Sequence, residues 1–174
     1  LKEIEVKVLN IDFDMVKKKL GKLGAKKIKQ ENQQNYFFSL KEENGYVRIR
    51  VIEDLINNRK KITLCIKKIF KLQNVRQNIE HEFEVSDFNE CLLFLKELGF
   101  KDYKREDKYR ESYILEDVLI EFDTWDKSVF PYPYIEIEAP NIEALERITG
   151  LLEIPKENIT SKGLLEIKRD LGIL

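Results

Sequence analysis

Three segments of this chain alternate charged and aliphatic residues around a Glu-x-Glu pair, and each runs into a stretch whose apolar residues recur at helical spacing. Residues 3–8 read Glu-Ile-Glu-Val-Lys-Val, a period of two that puts Glu3, Glu5 and Lys7 on one face of a strand and aliphatic side chains on the other. Met15, Val16, Leu20 and Leu23 follow at helical spacing, between Asp12, able to cap, and Gly24, able to terminate. Residues 80–85, Glu-His-Glu-Phe-Glu-Val, repeat the alternation, and Phe88, Cys91, Leu92, Leu95 and Leu98 predict a helix ended by Gly99. The third copy is Glu136-Ile137-Glu138, followed by Ile142, Leu145 and Ile148 and a stop near Gly150. Their unequal spacing excludes a solenoid and suits a duplicated β-rich half followed by a partial copy.

Between the copies, alternation predicts strands at about 45–52, 60–68, 106–115 and 117–123, joined as antiparallel hairpins by polar turns such as Glu42-Glu43-Asn44-Gly45. Their polar faces carry Arg48 and Arg50, then Lys61, Thr63 and Lys67, then Lys108, Arg110 and Ser112, then Glu121 and Asp123. Pro155 predicts the start of a last helix. An amphipathic strand ordinarily turns its polar face to water, which would give an open sheet with solvated charges. Several amphipathic helices also need an apolar surface, and they could wrap the aliphatic faces of a curled sheet from outside, turning the charges inward. A barrel of about eight strands has a lumen wide enough for side chains or one small ligand. The expected class is α+β, an eight-stranded antiparallel β-barrel with amphipathic helices packed outside, formed by residues 1–174 as one domain.

Composition narrows the function. At 174 residues the chain can bury a core without disulfides or a structural metal. Charged residues make up 36% of it yet cancel to a formal net of −1, which removes the electrostatic basis for strong nucleic-acid binding. Lys17 to Lys19 and Lys26 to Lys27 read as solvated helix ends. Cys65 and Cys91, far apart and in apolar surroundings, read as reduced thiols, so a cytoplasmic location is expected. No run approaches the roughly 20 apolar residues of a membrane span, and Lys2, Glu3 and Glu5 do not suit a leader, so neither membrane insertion nor secretion is expected. One histidine, His81, on the face opposite Glu80 and Glu82, and two distant cysteines argue against zinc. Trp125, Tyr132 and Tyr134 read as aromatic packing, and no GxxxxGK phosphate loop is present.

Charges turned inward need partners and hydrogen bonds. Arg48, Arg50, Lys67, Arg76, Lys108 and Arg110 supply forked and point-charge donors of the kind polyphosphate oxygens accept. Glu3, Glu5, Asp123, Glu136 and Glu138 supply hard oxygen ligands suited to Mg²⁺ or Mn²⁺, which take one or two carboxylates with waters and phosphate oxygens.

Glu3-x-Glu5-x-Lys7 resembles the ExExK signature of the CYTH superfamily, the triphosphate tunnel metalloenzymes. Val47-Arg48-Ile49-Arg50 resembles its LRIR strand and Leu64-Cys65-Ile66-Lys67 its LTxK strand, with Arg76 and Glu80-x-Glu82 following in order. Leu98-Gly99-Phe100, Lys108-x-Arg110, Asp123 and Tyr134-Ile135-Glu136-Ile137-Glu138 resemble the LGF, KxR, Asp and FVEIE elements of its CyaB-like class IV adenylate cyclase and thiamine triphosphatase branch. The resemblance implies an antiparallel tunnel with helices outside. It implies Mg²⁺ or Mn²⁺ held by Glu3, Glu5, Asp123, Glu136 and Glu138, and phosphates held by Lys7, Arg48, Arg50, Lys67, Arg76, Lys108 and Arg110. Glu3, Glu5, Lys7 and Asp123 would be catalytic, and Glu80 and Glu82 suit either role. Glu121 rivals Asp123 on the same strand face, and Ser39 stands where many relatives carry an acidic residue.

The activity implied is that of a metal-dependent enzyme acting on a small-molecule triphosphate, as a monomer or homodimer. Conversion of ATP to cyclic AMP and pyrophosphate comes first, thiamine triphosphate or tripolyphosphate hydrolysis is the alternative, and a non-catalytic triphosphate-binding module is a third reading.

Overall fold

A computed structural model describes residues 4–40, 45–72 and 75–173, the side chains of residues 70–78 excepted. In chain order the elements are β1 (Ile4–Val8), α1 (Phe13–Lys22), β2 (Lys26–Ser39), β3 (Gly45–Asp54), β4 (Arg59–Leu72), β5 (Val75–Val85), α2 (Phe88–Glu97), β6 (Lys104–Leu115), β7 (Val118–Trp125), β8 (Tyr134–Ala139), α3 (Ile142–Leu151), β9 (Ile159–Thr160) and α4 (Leu164–Asp170). Each Glu-x-Glu strand leads into a helix, as the alternation implied.

Local chemistry sets the helix ends. Asp12 accepts from the Met15 N–H at 3.0 Å, Asp87 from Glu90 at 2.9 Å and Asn141 from Ala144 at 2.8 Å, so each helix opens on a side chain that satisfies an orphan donor. Gly24 (φ 75°) and Gly99 (φ 93°) follow the ends of α1 and α2 in left-handed conformation. The third helix departs from expectation. It runs through Gly150, and Glu153 (φ 53°) takes the left-handed position instead. Pro155 precedes only a three-residue 3₁₀ turn, Lys156–Asn158, and the last helix begins at Leu164.

The strand β2 was not anticipated, because residues 26–35 read Lys-Lys-Ile-Lys-Gln-Glu-Asn-Gln-Gln-Asn and carry no apolar stripe for alternation to reveal. Lys26 and Lys27 therefore lie on a strand and not at a helix end. The sheet is antiparallel, with nine strands in the order β5-β4-β3-β2-β6-β7-β8-β1-β9. Among the described residues this order runs open from β5 to β9, where a closed barrel of about eight strands was expected. The short β9 pairs with Lys7 and Val8 at the edge of β1.

Contacts divide the chain into two compact units, residues 1–30 with 109–174, and residues 31–108. In the first, Val6 and Val8 of β1, Ile120 and Phe122 of β7, and Ile135 and Ile137 of β8 pack with Val16 and Leu20 of α1 and Ala144 and Ile148 of α3. Each of these Val, Leu, Ile and Phe side chains contributes about 1.5–3 kcal/mol when fully buried. In the second, Phe38 of β2 and Val47 and Ile49 of β3 pack with Cys91 and Leu95 of α2. Gly45 begins β3 opposite Lys68, where a Cβ would stand 2.1 Å from the Lys67 carbonyl oxygen, so only glycine permits that pairing.

The opposite, polar faces are also shielded. Lys7, Ser112, Glu121 and Asp123 in the first unit and Gln33, Asn35, Arg48 and Thr63 in the second are buried. A sheet with its charges solvated is thereby excluded.

Candidate functional site

Register assembles the first polar group. Glu5 of β1 stands opposite Glu138 of β8, Lys7 opposite Glu136, and Glu136 opposite Glu121 of β7. Glu5, Glu136 and Glu138 can each offer an oxygen with all three within 4.8 Å of one another. Buried Lys7 pairs with Glu5 and lies 3.1 Å from Glu136. Burial alone would favour its neutral form, but the charges of Glu136 and Glu5 outweigh that and raise its pKa.

Beside this trio, the Arg110 guanidinium of β6 grips Asp123 in a fork, Nε and Nη2 each donating at 2.6 Å. It also pairs with Glu121 and lies 3.9 Å from Glu136, while Ser112 Oγ donates to Glu121 at 2.8 Å. Burial works against the Arg110 charge, yet Asp123 and Glu121 hold its pKa well above the usual value. The trio fits a hard divalent cation: its donors are all carboxylate oxygens, the set Mg²⁺ or Mn²⁺ takes, and Lys7 offsets their mutual repulsion.

The second unit carries its own group. Arg48 donates to Glu82 at 2.7 Å and lies 3.6 Å from Glu80, and Lys67 lies 3.1 Å from Glu80. For Glu80 burial works upward, but the Lys67 charge and its hydrogen bond win, and the pKa is lowered. Arg50 Nε donates to Asn35 at 2.7 Å, and Asn35 in turn to the Glu106 carbonyl at 3.1 Å.

The family model described as CYTH domain matches residues 1–164. The chain belongs to the CYTH family. It is 31% identical to the "Putative adenylate cyclase" of Methanocaldococcus jannaschii, over 95% of this chain and 98% of that one. A solved Pyrococcus horikoshii OT3 structure superposes with a TM-score of 0.74 at 29% identity, covering 95% of this chain and 98% of that one. A Hippeastrum protein described as a "Putative adenylyl cyclase" with a dominant triphosphatase activity shares the fold, with a TM-score of 0.62 at 20% identity over 99% and 96% of the two chains.

In this CYTH chain, the first unit brings together Glu5, Lys7, Arg110, Asp123, Glu136 and Glu138, and the second brings together Arg48, Lys67, Glu80 and Glu82. Asp123 rests on Arg110 and stands outside the trio able to share an ion among the described residues. Lys108 is buried. Glu3 and the Arg76 side chain lie outside the described residues.

Two polar features of this CYTH chain escaped the sequence. Asn35, on the unanticipated β2, buttresses Arg50. Glu111, on the outward face of β6, pairs with Lys17 at 2.6 Å and Lys27 at 2.7 Å and accepts from the Tyr109 and Tyr113 hydroxyls. Lys17 is therefore an anchor between α1 and β6 and not a solvated helix end. No helix among the described residues is long and apolar enough to cross a membrane.

Proposed function

We propose that this CYTH protein is a divalent-metal-dependent enzyme acting on a nucleoside or organic triphosphate, and that its reaction is cyclisation of ATP to cyclic AMP and pyrophosphate. The observation that carries the reading is the carboxylate trio Glu5, Glu136 and Glu138 interleaved with buried Lys7 and flanked by Arg110. So dense a set of like charges around a buried ammonium is costly unless it serves a ligand of mixed metal and phosphate character. The cyclase choice is supported by the name of the Methanocaldococcus jannaschii relative.

In this reading Glu5, Glu136 and Glu138, with Glu3, hold Mg²⁺ or Mn²⁺. When bound, the ion would act as a Lewis acid on phosphate oxygens. Lys7 binds phosphate oxygens as a point charge; in the second unit Lys67 and Lys108 offer the same chemistry and Arg48 a forked donor. Arg110, forked onto Asp123, keeps Glu136 and Glu121 in place. Catalysis is then positioning and electrostatic stabilisation, with no covalent protein intermediate. The ribose 3′ hydroxyl attacks the α-phosphorus, its proton passes to a carboxylate or water, and pyrophosphate leaves.

The test is to incubate the protein with ATP, thiamine triphosphate and tripolyphosphate, each with Mg²⁺ or Mn²⁺, and resolve the products. Cyclic AMP with equimolar pyrophosphate from ATP is expected. No cyclic AMP with either metal rejects the cyclase, and orthophosphate released from tripolyphosphate or thiamine triphosphate would assign a phosphohydrolase.

A further inference from the structure

The second unit brings a thiol to two carboxylates. Cys65 of β4 stands opposite Arg48 of β3 and Glu82 of β5, is fully buried, and its Sγ lies 3.3 Å from Glu80 Oε1. Cys65 Sγ and one oxygen each from Glu80 and Glu82 all lie within 4.8 Å of one another. Arg48 supplies an independent observation. Its Nη2 donates to Glu82 at 2.7 Å, the residue is only 6% exposed, and its buried Nε has no hydrogen-bond partner among the described residues. A buried guanidinium N–H without an acceptor is destabilising, and this one belongs to the side chain that already grips the group.

We propose that Cys65, Glu80 and Glu82 form a second metal site, for a thiophilic divalent ion such as Zn²⁺ or Co²⁺, whose fourth position holds a water or small anion accepting from Arg48 Nε. Sulfur with two carboxylates selects such ions over Mg²⁺ and Mn²⁺, which the all-oxygen trio suits. Three protein donors with one open position is a known zinc pattern. The sequence argued against zinc because it weighed cysteines and a histidine alone, whereas register supplies the carboxylates. The ion replaces the thiol proton now shared with Glu80, so one proton leaves for each ion bound, and Arg48 and Lys67 remain as countercharges. Burial pushes the Cys65 thiol up to about 12, with Arg48 opposing and Glu80 adding.

The inference is independent of the reaction proposed above. Metal-free protein is titrated with Co²⁺ and the near-ultraviolet sulfur-to-cobalt charge-transfer band is followed. A saturable band is expected that excess Mg²⁺ does not remove, that persists in Cys91→Ser, that needs roughly tenfold or more Co²⁺ in Glu82→Gln, and that is lost in Cys65→Ser. No band in the unaltered protein overturns the site, and so does a band that survives in Cys65→Ser or that Mg²⁺ displaces.

Discussion

Lys7 Nζ lies 3.1 Å from the Glu136 carboxylate, and both side chains are largely shielded from water. The same ammonium pairs with Glu5, so one cation is shared by two of the three carboxylates that could hold an ion. Lys7→Met keeps the aliphatic stem and removes that charge. Mn²⁺ should then bind about tenfold more tightly, because the trio loses a nearby positive charge, while tripolyphosphate binds more weakly. Calorimetric titration with each ligand reads both changes. Because the Lys7 pKa is raised from 10.5, its pairing stabilises the fold below that value and is lost only as pH climbs through the higher, folded one.

Arg110 donates to both Asp123 oxygens and pairs with Glu121, which also accepts from Ser112. Arg110→Ala removes the guanidinium that two buried carboxylates share and should lower unfolding stability by about 3–5 kcal/mol in urea melts. Arg110→Lys keeps the charge but not the fork, and should recover only part of the loss.

Acid should loosen the attachment of α1 to β6. Burial works to raise the Glu111 pKa, but hydrogen bonds from Lys17, Lys27 and Tyr113 win and set it at about 2, below the ordinary 4.5. A depressed carboxylate stabilises the fold fully above its unfolded pKa, and that contribution of about 3 kcal/mol disappears as pH falls from about 5 through 2. Glu111→Gln should be less stable than the unaltered protein at pH 7 and should lose less on acidification, as chemical melts at the two pH values would read.

The parts of the fold legible in the sequence were those in which apolar residues alternate against charge. Glu5 and Lys7 announced β1, and Glu136 and Glu138 announced β8, because the buried face of each strand is uniformly aliphatic. The strand β2 was hidden because its first ten residues are almost all polar, and Asn35 was hidden with it. Glu111 and Cys65 were missed for a different reason. Each acquires its partners from strands or helices distant in sequence, Glu111 from Lys17 and Lys27 and Cys65 from Glu80 and Glu82, so only pairing register reveals them. The fork between Arg110 and Asp123 was likewise unreadable, since both residues were legible as polar but not as partners.

The most direct measurement is Mn²⁺ binding, followed by electron paramagnetic resonance of the free ion, with and without tripolyphosphate. Saturable binding is predicted that tightens when tripolyphosphate is present and weakens by roughly tenfold or more in both Glu136→Gln and Glu138→Gln. Mn²⁺ that fails to bind even with tripolyphosphate, or binds these variants as tightly as the unaltered protein, would contradict the assignment of the trio.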